Sequence, residues 1–208
     1  MKRITLQLSV LLTGLFIASC ESKTPKESES TSSIAATAEA VTYTLITDTS
    51  SLVHWKGSML KMYDHTGTLN FKEGQVELEG GQLKSGTFTI DMTTIKTTDD
   101  NYDKKQTREK LIGHLSSEDF FDVANHPTAT YTIKSVKGNE AIGTLTIRGN
   151  SSDETLKNIV ITEEGDLVKG TGTLTFNRKK YDVKFDMPTQ NMVVSNDIEL
   201  KISVTAKK

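Results

Sequence analysis

From Thr42 to the C-terminus, apolar and polar residues alternate with a period of two, the pattern of a strand that turns one face to a core. Val53 and Trp55 are separated by His54. Leu69 and Phe71 flank Asn70, and Phe88 and Ile90 sit among Thr87, Thr89 and Asp91. The same alternation places Tyr131 with Ile133, Leu145 with Ile147, Leu174 with Phe176, and Val183 with Phe185. Ile159 and Ile161 form a further pair. The last run is the most regular, with Ile198, Leu200, Ile202 and Val204 set against Glu199, Lys201, Ser203 and Thr205. Turn-forming clusters separate the runs: Gly80-Gly81, Lys137-Gly138-Asn139, Gly149-Asn150 and Glu164-Gly165-Asp166. Many short strands joined by hairpins predict an all-β domain, an antiparallel sandwich or barrel. One segment breaks the period: residues 104–115 space Leu111, Ile112 and Leu115 as a helix does, and Ser116–Asp122 reads as a further turn. A helical connection is expected there, flanking one end of the sheet.

The first residues have a different character. Lys2 and Arg3 precede a largely apolar stretch, residues 4–17, and the small pair Ala18-Ser19 stands directly before Cys20, the one cysteine of the chain. This is the layout of a secretory signal, and the apolar run falls short of the ~20 residues that a membrane span needs. Phe16-Ile17-Ala18-Ser19-Cys20 resembles a bacterial lipobox, so residues 1–19 are expected to be a lipoprotein signal and Cys20 the lipidated anchor. Residues 20–41, rich in Ser, Thr, Glu and Ala, then read as a flexible tether, and 42–208 as the folded domain. The expected location is the bacterial cell envelope, on a membrane-anchored lipoprotein that faces periplasm or cell surface.

With one cysteine no intrachain disulfide forms, and packing alone must hold the domain. Without Lys2 and Arg3, 23 basic side chains face 27 acidic ones, a mild negative balance that argues against nucleic acid. His54, His65, His114 and His126 show no metal-ligand spacing, so no metal is expected. His54 falls on a polar register; His114 is expected to make a structural hydrogen bond. Asp99-Asp100-Asn101-Tyr102-Asp103 opens like a calcium loop. Lys104 then stands where the turn needs glycine, and Lys110 where a bidentate glutamate belongs, so a solvated acidic loop is the expectation. No nucleophile elbow or phosphate loop occurs, and alternation turns most carboxylates outward; catalysis is not expected.

A closed sheet of about eight strands has an interior that is either filled by side chains or holds one small ligand, and alternation is compatible with both. The segment Arg108–Asp122 (REKLIGHLSSEDFFD) followed by His126-Pro127 resembles the signature of the YceI-like family, and the strand motifs on either side fall in the same order over about residues 42–207. The resemblance implies a lipocalin-like antiparallel barrel with a helical insertion, holding a polyisoprenoid or isoprenoid quinone in an apolar tunnel. Beyond such a bound lipid, no cofactor is implied. On that view Val53, Trp55, Phe71, Phe88, Ile90, Tyr131, Ile133, Leu145, Ile147, Phe176 and Phe185 become cavity-wall candidates, chosen by alternation. The Trp55 indole would narrow the tunnel, and Asp119-Phe120-Phe121 would dock the helix or shape a tunnel end. The expected partners are a chain-like lipid and, through Cys20, a membrane, with the protein a monomer or homodimer. The alternative is a structural or stress-response envelope lipoprotein with a filled barrel.

Overall fold

Residues 39–59, 62–186 and 193–208 are described by the computed structural model. The expected signal, Cys20 and the tether as far as residue 38 lie outside them. The strands are β1 (Ala40–Leu45), β2 (Leu52–Met59), β3 (Tyr63–Glu79), β4 (Gln82–Thr97), β5 (Thr128–Lys137), β6 (Glu140–Ile147), β7 (Asn150–Glu164), β8 (Leu167–Asn177) and β9 (Val194–Lys207). The helix α1 (Arg108–Ser116) lies between β4 and β5, and a short 3-10 turn (Arg178–Tyr181) follows β8.

Every pairing is antiparallel. Around the sheet the order is β3-β2-β9-β8-β7-β6-β5-β4, and β4 pairs back onto β3, which closes the sheet into a barrel. Closure removes the unpaired edges that would otherwise template aggregation. All of these pairings fall within residues 40–207, so the barrel needs no strand from outside that span. β1 adds no ninth stave. It pairs with the far half of β3, from Ala40 opposite Glu79 to Thr44 opposite Gln75, while β2 takes the near half, from Leu52 opposite Asn70 to Met59 opposite Tyr63. The two share one position between β3 and β9. Where the chain leaves the ladder between them, the fully buried Ser51 repairs it: its hydroxyl accepts from the Thr205 N–H at 3.0 Å and donates to the Thr205 carbonyl at 3.3 Å. β1 starts at Ala40, two residues ahead of the expected domain edge.

The two ends of the barrel differ. At one, tight hairpins join β3–β4, β5–β6 and β7–β8, with Gly80, Gly81, Gly138 and Gly165 at φ of 57°, 75°, 60° and 64°, where a side chain is disfavoured. Leu45, Leu78 and Ala206, each at most 6% exposed, pack there. The other end carries the long connections. Arg148 ties two of them together, its Nη1 donating to the Phe120 carbonyl at 2.7 Å and the Asp182 carbonyl at 3.1 Å. Arg178, with no exposed surface, donates to the carbonyls of Ser195 (3.0 Å) and Val183 (2.8 Å) and to Asp186 Oδ1 (3.1 Å). A guanidinium tolerates burial when its N–H groups find acceptors.

Two sequence expectations are corrected here. The helix is shorter than 104–115 because Asp103 Oδ1 accepts from the Lys105 and Gln106 N–H groups (2.6 and 2.7 Å) and holds them in a turn; Thr107 then caps the helix by accepting from the Lys110 N–H. Val183 and Phe185 are not on a strand. Asp182 takes a left-handed conformation at φ 62°, and the Val183 carbonyl is committed to Arg178 instead of a ladder partner.

Candidate functional site: a cavity inside the barrel

The inward faces of the staves enclose a cavity of about 770 Å³, and the barrel is therefore hollow. This volume lies within the ~300–1,000 Å³ typical of small-molecule pockets. All eleven residues chosen by alternation border it: Val53 and Trp55 from β2, Phe71 from β3, Phe88 and Ile90 from β4, Tyr131 and Ile133 from β5, Leu145 and Ile147 from β6, Phe176 from β8, and Phe185 from the irregular segment after the 3-10 turn. Leu69, Leu174, Ile198, Leu200 and Ile202, inward by the same alternation, border it as well. Met92 extends the alternation of Phe88 and Ile90, and Leu111 and Leu115 of α1, spaced as a helix, also border it; Ile95 and a polar set around Tyr63, His65, Tyr102, Gln106 and Lys110 had no sequence signal that marked them as lining.

Glycines make the wall. Gly67 stands opposite Trp55, and a Cβ there would come within 2.5 Å of the indole Cε2 and Cζ2, so the ring fits because Gly67 has no side chain. Tyr131 likewise lies over Gly143, where a Cβ would approach the ring at 2.6 Å. Its hydroxyl donates toward the carbonyls of Ala141 and Glu154, both at 3.1 Å. Burial, reinforced by Glu154 and Asp153, pushes this phenol up to about 12. Below the wall, Tyr181 donates to Glu154 Oε1 at 3.0 Å, and burial followed by the Glu154 charge raises its pKa too.

At the α1 end aromatic groups gather. His114 meets Phe185 edge-on at 4.4 Å and Phe120 at 5.6 Å, and Phe120 packs against Phe121 at 4.9 Å. The Asp119–Phe121 stretch both docks α1 and borders the cavity. The hydrogen bond expected for His114 is not made by its buried Nε2, which has no partner because α1 presses the ring among aromatic faces; Trp55 Nε1 is likewise unpartnered. Aromatic faces are weak acceptors at best.

Beside this cluster the chain from Asp99 to Arg108 organises the rim. The Asp99 carboxylate, only 8% exposed, meets His65 Nδ1 at 3.0 Å and accepts from the Thr66 N–H (2.9 Å), the Asn101 N–H (3.0 Å) and the Tyr102 hydroxyl (3.2 Å). Burial pushes its pKa up, but these donors outweigh it and hold the carboxyl below the usual range. Asp99 is thus a structural acceptor and not part of a solvated loop; Asp100 beside it is exposed as expected. His65 stacks on Tyr102 at 5.2 Å, and Arg108 lies over the other ring at 4.7 Å while donating to the Thr97 and Asp99 carbonyls. Among the described residues no cluster of three or more His, Cys, Asp or Glu is placed to hold a metal ion.

A closed single-sheet antiparallel barrel around one apolar cavity, with a helix at one end, is the lipocalin-like architecture. Within it the chain belongs to the YceI-like family, whose domain model matches residues 43–206. A UPF0312 protein of Staphylococcus aureus is 31% identical over 147 residues, spanning 64% of this chain and 80% of that protein, and one of Staphylococcus epidermidis is 28% identical over 150 residues with the same coverage. Among solved structures, BcnA of Burkholderia cenocepacia superposes with a TM-score of 0.64 at 20% identity, covering 78% of this chain and all of that one. A polyisoprenoid-binding domain from Saccharophagus degradans gives 0.52 at 12% identity, covering 79% and 97%.

Proposed function

We propose that this protein is a binding protein that holds a hydrophobic, chain-like lipid of the isoprenoid type, such as a polyisoprenoid or an isoprenoid quinone, in the barrel interior and performs no chemistry on it. The observation that carries the reading is the hollow barrel, about 770 Å³ walled by aliphatic and aromatic side chains. The Saccharophagus degradans domain of the same architecture is described as polyisoprenoid-binding, which agrees with it. Burying a chain in such a wall gains about 0.8 kcal/mol per methylene, with few polar contacts needed. Cys20, lipidated, would hold the barrel at the envelope membrane from which the chain is drawn.

Trp55, the one tryptophan of the sequence, borders the cavity and reports on it. Chains of increasing length titrated into residues 39–208 are expected to change its emission, with affinity rising about fourfold per methylene until the cavity is full. Leu145→Phe, placed in the wall, is expected to move that plateau to shorter chains. Native mass spectrometry of protein purified without detergent checks occupancy. No bound lipid in repeated preparations, together with an emission indifferent to added chains, overturns the reading.

A further inference from the structure

The lining is not uniform from end to end. Toward the hairpin end it is hydrocarbon: Val76, Leu83, Ile161 and Val168. Midway, the hydroxyl of Tyr131 is already spent on two carbonyls. The ionisable and amide side chains that border the cavity come from the α1 end: His65, Gln106, Lys110, His114 and Asp119.

One of these groups has hydrogen-bond donors to spare. Lys110 is the lysine of the lining, and its ammonium donates to the Lys105 carbonyl at 2.8 Å, a neutral acceptor; no ion pair ties it to a carboxylate among the described residues, and Asp103 feels its charge. His65 is committed: its Nδ1 donates to the Asp99 carboxylate, and its ring is fixed between Tyr63 (5.1 Å) and Tyr102 (5.2 Å). Two nearby carboxylates are already engaged. Asp99 accepts from Thr66, Asn101 and Tyr102 besides His65, and Asp103 from the Lys105 and Gln106 amides. Asp119 borders the cavity too, on the exposed α1–β5 connection.

We propose, building on the lipid-binding reading, that the guest is a single-chain amphiphile with an anionic head, a carboxylate or phosphate, which sits at the α1 end against Lys110 while its chain runs toward the hairpins. A cation whose hydrogen bond goes to a neutral carbonyl gains a charge-assisted bond from such a head, and a neutral head gives it less. The apolar remainder of the cavity offers an anion nothing, so the head can settle only at this end.

The test uses three probes with the same sixteen-carbon chain: hexadecanoate, hexadecyl phosphate and hexadecanol. Each is titrated into residues 39–208 at neutral pH and followed by Trp55 emission. Both anions are expected to bind about tenfold more tightly than the alcohol, the span of one charge-assisted contact at a partly exposed site. The tighter of the two anions names the head. Lys110→Glu and Lys110→Gln, on an exposed helix position, are expected to remove most of the anions' advantage over the alcohol. Equal affinity for all three probes, or an advantage that survives Lys110→Glu, overturns the anionic head and leaves the carrier reading standing. Failure of all three chains to bind overturns both.

Discussion

Replacing Gly67 by alanine adds one methyl group to the barrel wall, and the surroundings define what that methyl meets. It would lie 1.8 Å from the Lys96 carbonyl oxygen and 2.5 Å from two atoms of the Trp55 indole. The indole can turn, but the carbonyl is backbone in the strand that closes the barrel, so β3 and β4 must part. Overpacking of this kind costs about 1–3 kcal/mol, and a backbone clash places Gly67→Ala at the upper end, about 3 kcal/mol. The same change at Gly113 has the opposite expectation. That glycine is exposed in the interior of α1 with nothing within 4 Å of a new Cβ, and alanine there should stabilise by about 0.5–1 kcal/mol. Urea unfolding followed by Trp55 emission measures both. With a slope of about 2 kcal/mol per molar, the Gly67→Ala midpoint should fall by about 1.5 M and that of Gly113→Ala should rise slightly. The native emission of Gly67→Ala should also shift, since the indole is displaced. A Gly67→Ala midpoint within about 0.3 M of the parent would refute the close approach of Trp55 to β3.

Arg178→Met keeps length and bulk but leaves the Ser195 and Val183 carbonyls without their donor, and should cost about 3 kcal/mol, seen as a lower Tm and faster amide exchange in residues 183–186. Alkaline pH should destabilise the barrel. Tyr131 and Tyr181 have folded pKa values raised above the ordinary 10.0, so the stability they contribute is complete below that value and is lost as pH rises through the folded pKa, about 12 for Tyr131. Thermal midpoints recorded from pH 9 to 12 should fall across this window, and Tyr131→Phe should make the fall shallower.

Local pattern carried much of the architecture. β9 announces itself in Ile198, Leu200, Ile202 and Val204, and the glycines at 80, 138 and 165 mark hairpins because a positive φ is a property of the turn itself. Alternation misleads where a bulge changes parity. In β3 the buried positions are odd through Phe71 and even from Gly74 through Leu78, because the pairing with β4 slips between Phe71 and Glu73. In β4 the buried face changes parity between Met92 and Ile95, which hid Ile95 from a period-two reading. The alternating pair Val183 and Phe185 suggested a strand that the buried Arg178 forbids by claiming the backbone carbonyl. The rim had no pattern to follow: His65, Asp99 and Tyr102 are far apart or irregularly spaced in sequence and meet only after β3 and β4 pair. The sequence motif around His114 identified the family but misjudged the ring's surroundings, since Phe185 arrives there from a distant part of the chain.

Tight hairpins stop one end of the barrel, and the long connections gather at the other. A lipid held as proposed, with its head at the α1 end, would back in tail first and come out head first, so whatever receives it would meet the water-loving tip before any of the oily length. Loading and unloading would then be the same path travelled in opposite directions, with the destination's own affinity deciding which way the traffic runs.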